Sequence, residues 1–375
     1  MKYITKKGIF IVALACAATV STFAERAIQT VESNKHDFVV VEVATGLSRP
    51  WSLAFLPNGD LLVTERTGKL KRISEESSVT IGGVPDVVSR GQGGLLDVVL
   101  DPAFESNRLI YLSYSDSYNR GYGTRIGRGR LIGDALVDFQ VIFTMNNPTR
   151  ATHHFGSRLA FGPDETLFFS IGDRGERDRA QDLSDDAGKI HRINPDGSLP
   201  SDNPYIGQRN ANDTVYSYGH RNVQGMVFDS NTGILWTHEH GPKGGDEVNI
   251  VQPSVNYGWP IITYGREYSG GYIAPSEKPG LEQPIIHWTP SIAPSGLAVY
   301  YGTEFPEWQG NLFAGALVGQ QLRRMTVVDD SIVDQEILLE NSIGRIRDVR
   351  VGLKGKLWLV TDAAAGRILK LERAE

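Results

Sequence analysis

Residues 51–73 read WSLAFLPNGDLLVTERTGKLKRI: an apolar run, a Pro-Asn-Gly-Asp turn, a second apolar run, a Thr-Gly turn and a third run. Each run is the length of a strand and is rich in Val, Leu, Ile and Phe. Asn-Gly supplies the positive φ angles that a tight hairpin needs. The phrase returns at 157–173 as SRLAFGPDETLFFSIGD. Further copies begin at Leu95 (LLDVVLDPAF, then LIYLSYSD), Gln224 (QGMVFDSNTGILWTHEHG), Ser295 (SGLAVYYGTEF, then NLFAGAL) and Ile346 (IRDVRVGLKGKLWLVTDAAAGRILKL), which makes six units. Helical periodicity over three turns is hard to find after Thr30. A lone sheet of three or four strands cannot cover both its faces, whereas sheets stacked radially cover each other. The six units therefore predict an all-β fold: a six-bladed β-propeller of four-stranded antiparallel blades over residues 38–375, preceded by a lead-in at 25–37. A β-sandwich also has many short strands, but the phrase recurs end to end with no Pro- or Ser-rich linker between copies, which favours the ring. Phe38 to Val43 (FVVVEV) is expected to supply the outer strand of the last blade and close it. The polar stretch from Gln181 to Tyr216 reads as a long insertion of the kind that builds a site on one rim.

Residues 1–24 carry Lys2, Lys6 and Lys7, an apolar run from Gly8 to Val20, and Ser21-Thr22-Phe23-Ala24. That is the pattern of an export signal cleaved after Ala24, leaving a secreted or periplasmic protein. A short helix that stays attached is the alternative. Lipidation at Cys16 is disfavoured by Ala13, which stands where a Leu-like residue is wanted. Cleavage removes the only cysteine, so the exported chain has no disulfide. It also removes three lysines and no acid, taking the formal net charge from −6 to −9. Such a balance gives no footprint for nucleic acid and suits a small neutral substrate. No later stretch is apolar for long enough to span a bilayer.

Four clusters carry chemistry. His154 stands just before the first strand of the third copy and Asp173 just after the second, so antiparallel pairing brings them to one end of a sheet. A carboxylate there holds one imidazole nitrogen and leaves the other as a base; a loop histidine beside a turn aspartate has the same spacing. Arg345-Ile-Arg347 on a strand points two guanidiniums the same way, about 6.5 to 7 Å apart. They match a polycarboxylate, or a solvated strand face. Arg221, Asn222 and Gln224 precede another blade strand. Gly241-Pro-Lys-Gly-Gly-Asp-Glu247 is a loop of free carbonyls followed by two carboxylates, an all-oxygen setting for a hard cation or a plain glycine-rich turn. No spacing matches zinc, a Walker loop or a dinucleotide fingerprint.

From about Val43 to Leu371 the chain resembles the soluble pyrroloquinoline quinone (PQQ)-dependent aldose and glucose dehydrogenases. The stretches that carry the likeness are GLSRPWSLAFLPNG, GQGGLLDVVLDPAF, HHFGSRLAFGPD with SIGDRG, GKIHRINPDGSLPSDNP, YSYGHRNVQG, EHGPKGGDEVN with NYGWP, PSIAPSG and GRIRDV. The resemblance implies oxidation of aldoses at C1 to lactones, with hydride passing to PQQ while His154 takes the hydroxyl proton, Asp173 orients it and Arg221 stabilises the reduced cofactor. It implies Gln92, Asn222, Tyr268, Arg345 and Arg347 as cofactor ligands. Gln92 and Trp288 would meet the sugar. The carbonyls of Gly241 and Pro242 would hold the calcium that chelates PQQ, and Glu247 and Tyr257 a second, structural calcium, with Asp246 a weaker candidate. The implied partners are small aldose sugars and an external electron acceptor, for a monomer or homodimer. Val318 stands where glucose-oxidising relatives carry a lysine; His153 replaces an acid and His240 a glutamine, so the likeness leans to the broader aldose branch. Two other classes stay open: a calcium-dependent propeller lactonase or esterase, and a non-catalytic binding propeller.

Overall fold

The computed structural model describes residues 25–374, and in it the six repeats form six antiparallel sheets. The first strands of the blades are Pro50–Phe55, Leu95–Leu100, Leu159–Phe161, Val223–Phe228, Pro294–Val299 and Ile346–Val351. They adjoin one another in that order around an axis, the last beside the first, so the chain is a six-bladed β-propeller. The export segment expected at residues 1–24 lies outside the described residues. Among the described residues, no helix is long and apolar enough to cross a membrane.

The ring closes as the sequence leads one to expect. Strand Phe38–Leu47 pairs antiparallel with Gly366–Arg373, Phe38 opposite Arg373. The stretch read as a lead-in adds more: Arg26–Val31 forms a fifth strand outside it, with Val31 opposite Phe38. Phe38 is fully buried against Phe305 and Trp308, its ring centroid 5.8 Å from that of Trp308. Burying such a ring stabilises by about 2 kcal/mol, so the junction between the chain ends is part of the hydrophobic core.

The axis itself is ionic. Asp97, Arg158 and Asp348 come from the first strands or their start in three blades and are all but fully buried. Arg158 Nη1 donates to Asp348 Oδ1 at 2.9 Å, and Arg350 bridges Asp348 and Asp97 at 2.8 Å each. Asp97 also accepts from Ser52 Oγ and the backbone N–H of Leu159, while the Arg158 guanidinium lies 4.3 Å from the centroid of the Trp51 ring. Buried charges persist only when paired and hydrogen-bonded, and here the pairing ties blades together across the axis.

In each blade the turn between the second and third strands, and the connection to the next blade, emerge at one rim. The other two turns emerge opposite. The expectation that Gln181–Tyr216 builds a site on one rim holds only for its start: Gln181–Gly188 ends the turn on the first rim, where Gln181 Nε2 donates to Trp259 O at 2.7 Å, whereas after the third strand of its blade, Lys189–Ile193, the chain turns on the far rim. There Arg192 ties Asp202 to Asp164, which lies in the turn at the end of the sheet away from His154. A different excursion reaches the site. After Asp246–Ile250 the chain travels to the first rim before returning as Ile286–Trp288, carrying Trp259 and Tyr268 with it.

Candidate functional site

Strand Leu167–Ile171 and the connection before Leu159–Phe161 bring Asp173 and His154 together, with His154 Nδ1 2.6 Å from Asp173 Oδ1. Gly175 N–H donates to the same oxygen at 2.7 Å, and Trp259 Nε1 donates to the other at 2.8 Å. Burial pushes the Asp173 carboxyl up, but the His154 hydrogen bond, the charges of His154 and Arg221 and the Gly175 N–H outweigh it and hold it below the usual carboxylate range. Burial lowers His154, aided by the Arg221 charge and opposed by Asp173. A carboxylate that accepts from Nδ1–H leaves Nε2 as the acceptor of a neutral imidazole. Gln92 fixes the loop, its Oε1 accepting from the His154 N–H at 2.8 Å.

Gln92, Asn222, Arg345 and Arg347 line one cavity, together with Trp51, Arg66, Gln224, His240, Leu317 and Asp362. Arg345 precedes its strand rather than lying on it, and an irregularity in the register follows, between Ile346 and Asp348. Both guanidiniums nonetheless converge on Asp362 Oδ2, at 3.0 Å from Arg345 and 3.2 Å from Arg347. Arg66 adds a third cation to the wall. Three guanidiniums facing one carboxylate leave a net positive cavity, and the buried Nε atoms of Arg66 and Arg347 have no hydrogen-bond partner among the described residues. The donor set fits a planar polycarboxylate such as PQQ.

Arg221 is half of a second cluster. Its Nη1 donates to the carbonyls of His240 and Gly241 at 2.8 Å each, and its Nη2 to Tyr268 Oη at 3.3 Å. Tyr268 is 70% exposed and roofs the guanidinium from the rim. The Gly241 carbonyl thus faces positive charge, supplied here by Arg221. Asn222 Oδ1 accepts from the Gly156 N–H at 3.1 Å.

Trp288 sits elsewhere. Its ring is buried in the cluster between the fourth and fifth blades, with Trp236, Val248 and Leu297, and Nε1 donates to Gln335 at 2.8 Å. The strand that carries it is the fourth of its blade, far from the axis, which is why an aromatic there packs rather than meets a ligand. Asp246 accepts from Ser291 Oγ and from the N–H groups of Gly241, Ile292 and Ala293, so its oxygens are committed to holding loops. Glu247 lies directly opposite Glu239 on the neighbouring strand. Burial and the Glu239 charge push its carboxyl well up, the situation a hard cation would relieve. Tyr257 Oη donates to Ile250 O and accepts from Gln252 N, so what it offers a cation is its backbone carbonyl.

The sequence reading missed Glu239. Its Oε1 meets His220 Nδ1 at 3.0 Å and its Oε2 accepts from the N–H groups of Arg221 and Asn222. His220 Nε2 in turn meets Ser217 Oγ at 2.9 Å. This Ser-His-Glu line has the outline of a hydrolytic triad, but Ser217 and His220 are fully buried, so no ester or lactone reaches the hydroxyl. It works instead as the frame that aims Arg221.

The glucose/sorbosone dehydrogenase family model matches residues 47–370. The chain belongs to that family. The aldose sugar dehydrogenase YliI of Escherichia coli K12 is 43% identical over 334 residues, covering 87% of this chain and 90% of that protein. The apo crystal structure of the soluble aldose sugar dehydrogenase from E. coli superposes with a TM-score of 0.86 at 41% identity, over 89% of this chain and 99% of the other. The PQQ-bound form of the Streptomyces coelicolor aldose sugar dehydrogenase gives a TM-score of 0.75 at 32% identity, over 93% and 98%.

Proposed function

We propose that the protein is a PQQ- and calcium-dependent aldose sugar dehydrogenase, exported through residues 1–24, that oxidises the C1 hydroxyl of aldoses to lactones. The observation that carries this reading is the meeting, at one rim, of a neutral, carboxylate-oriented imidazole with a cavity walled by three guanidiniums. Arg345, Arg347, Asn222 and Gln92 would hold PQQ, the carbonyls of Gly241 and Pro242 would hold its calcium, and the cofactor so bound would supply the two-electron acceptor. His154 Nε2 accepts the anomeric hydroxyl proton as the hydride leaves C1, and Asp173 steadies the imidazolium that results. Arg221, aimed by Glu239, favours negative charge developing beside it. Tyr268 and Trp259 keep water from the guanidinium face.

The test is direct: purified apoprotein is loaded with PQQ and calcium, and dye reduction is followed with glucose, other aldoses and disaccharides. Sugar-dependent reduction that needs PQQ supports the reading; its complete absence removes it.

A further inference from the structure

Beside the cavity lies a second hollow that the chemistry above does not use. It is lined by Arg90, Ser117, Arg120, Gly121, Tyr122, Arg150 and Thr152, with no carboxylate among them. The nearest acid on its strand, Asp116, is already paired with Arg125 at 2.7 Å. In a chain whose overall charge is negative, three exposed arginines around one hollow, none of them in an ion pair among the described residues, are a local reversal of sign.

The hollow is built. Arg90 Nη1 donates to Tyr122 Oη at 2.7 Å, and Tyr122 is pinned by paired backbone hydrogen bonds with Thr149. A Cβ on Gly121 would stand 2.8 Å from the Pro148 carbonyl carbon, so only glycine lets the Pro148–Thr149 segment pack this closely against the strand that carries Tyr122. Tyr118 pairs with Gly121 across a two-residue turn in which Asn119 has φ 48° and Arg120 φ 63°. Turns of that kind favour glycine at the second place. Here an arginine occupies it, accepting backbone strain at the spot that sets a guanidinium over the hollow.

The hollow also adjoins the reacting groups. Thr152 lines it and its carbonyl accepts from Gln92 N–H, while His154 follows two residues later. Two residues of chain separate their Cα atoms by at most about 7 Å, roughly one sugar ring.

Resting on the dehydrogenase reading, we propose that this hollow is a carboxylate subsite for acidic saccharides. It holds the uronate of a di- or oligosaccharide whose reducing end lies against His154. The general surface charge disfavours such substrates, and the three arginines offset it where the far end of the sugar falls.

The experiment compares a neutral reducing disaccharide with its analogue carrying a uronate at the non-reducing end, using holoenzyme and a neutral dye. KM for the acidic sugar should be lower by about tenfold, the effect of one charge-assisted hydrogen bond. Arg90→Ala with Arg150→Ala should abolish that advantage and leave glucose oxidation unchanged. Titration of the apoprotein with the same acidic disaccharide, its reducing end converted to an alditol, should show binding that the double variant loses. Equal KM values for the two sugars, or a variant that weakens both alike, would overturn the subsite. So would a variant that alters only the KM of an anionic dye, which assigns the hollow to the electron acceptor. If no aldose is oxidised at all, the dehydrogenase reading falls, and the alditol titration alone then decides the subsite.

Discussion

Nδ1 of His154 and Oδ1 of Asp173 lie 2.6 Å apart, and burial with the Arg221 charge holds the imidazole below its ordinary 6.5. The base form therefore persists down past pH 6.5, and activity is lost only as pH falls through the lowered value. The acid limb of kcat/KM is expected to have its midpoint below 6.5. Asp173→Asn removes the contribution that raises the imidazole and releases its tautomer, so the rate should fall by about 10²–10⁴. A midpoint above 6.5, or near-normal turnover in Asp173→Asn, counts against His154 as the base.

Asp362 pairs with both Arg345 and Arg347, which hold its carboxyl down against the effect of burial. A depressed carboxylate contributes stability above its unfolded value of 3.8 that is lost as pH falls through the lower folded value. Asp362→Asn leaves Arg347, buried, without its partner, and should cost the apoprotein about 3 kcal/mol. Added PQQ should restore part of the loss by supplying carboxylates. Thermal unfolding with and without PQQ checks both halves, and a variant as stable as the parent would refute the pairing.

The repeat made the ring legible, because a period-two strand phrase recurring six times has few ways to cover its faces. It also held more of the site than was extracted from it. Arg66, His240, Leu317 and Asp362 each follow the second strand of their blade, and all four line the cavity. Aligning the copies on that position would have found Arg66 and Asp362 as readily as Asp173, two places beyond Ile171. Trp288 was misread because its neighbours in sequence border the site while its strand lies at the outside of the blade. Trp259 and Glu239 were beyond reach for another reason. Their contacts to Asp173 and Arg221 cross between separate segments, and no local spacing encodes which buried acid or indole will meet which loop.

The axial ions predict a stability effect remote from any ligand. Asp97 is fully buried and accepts from Ser52, Leu159 and Arg350 at once. Asp97→Asn leaves Arg350 short of a counter-charge in the interior, and should destabilise by about 3–5 kcal/mol. Urea unfolding is the measurement; a loss of unfolding free energy under a tenth of that size would show that the blades do not depend on the network.

Glu239 is saturated by three donors, whereas Glu247, directly opposite, has only the Asn249 amide at 3.4 Å. Like charges facing across strands are destabilising, so a structural calcium bound by Glu247 and the Tyr257 carbonyl would have a repulsion to relieve. Calcium at a hundred times its dissociation constant should add about 2.7 kcal/mol of stability, removable by a chelator. Glu247→Gln should lose that increment, yet its calcium-free form should be at least as stable as the calcium-free parent because the facing charge is gone. A variant that is weaker without calcium and still stabilised by it would place the ion elsewhere and make Glu247 a plain structural carboxylate.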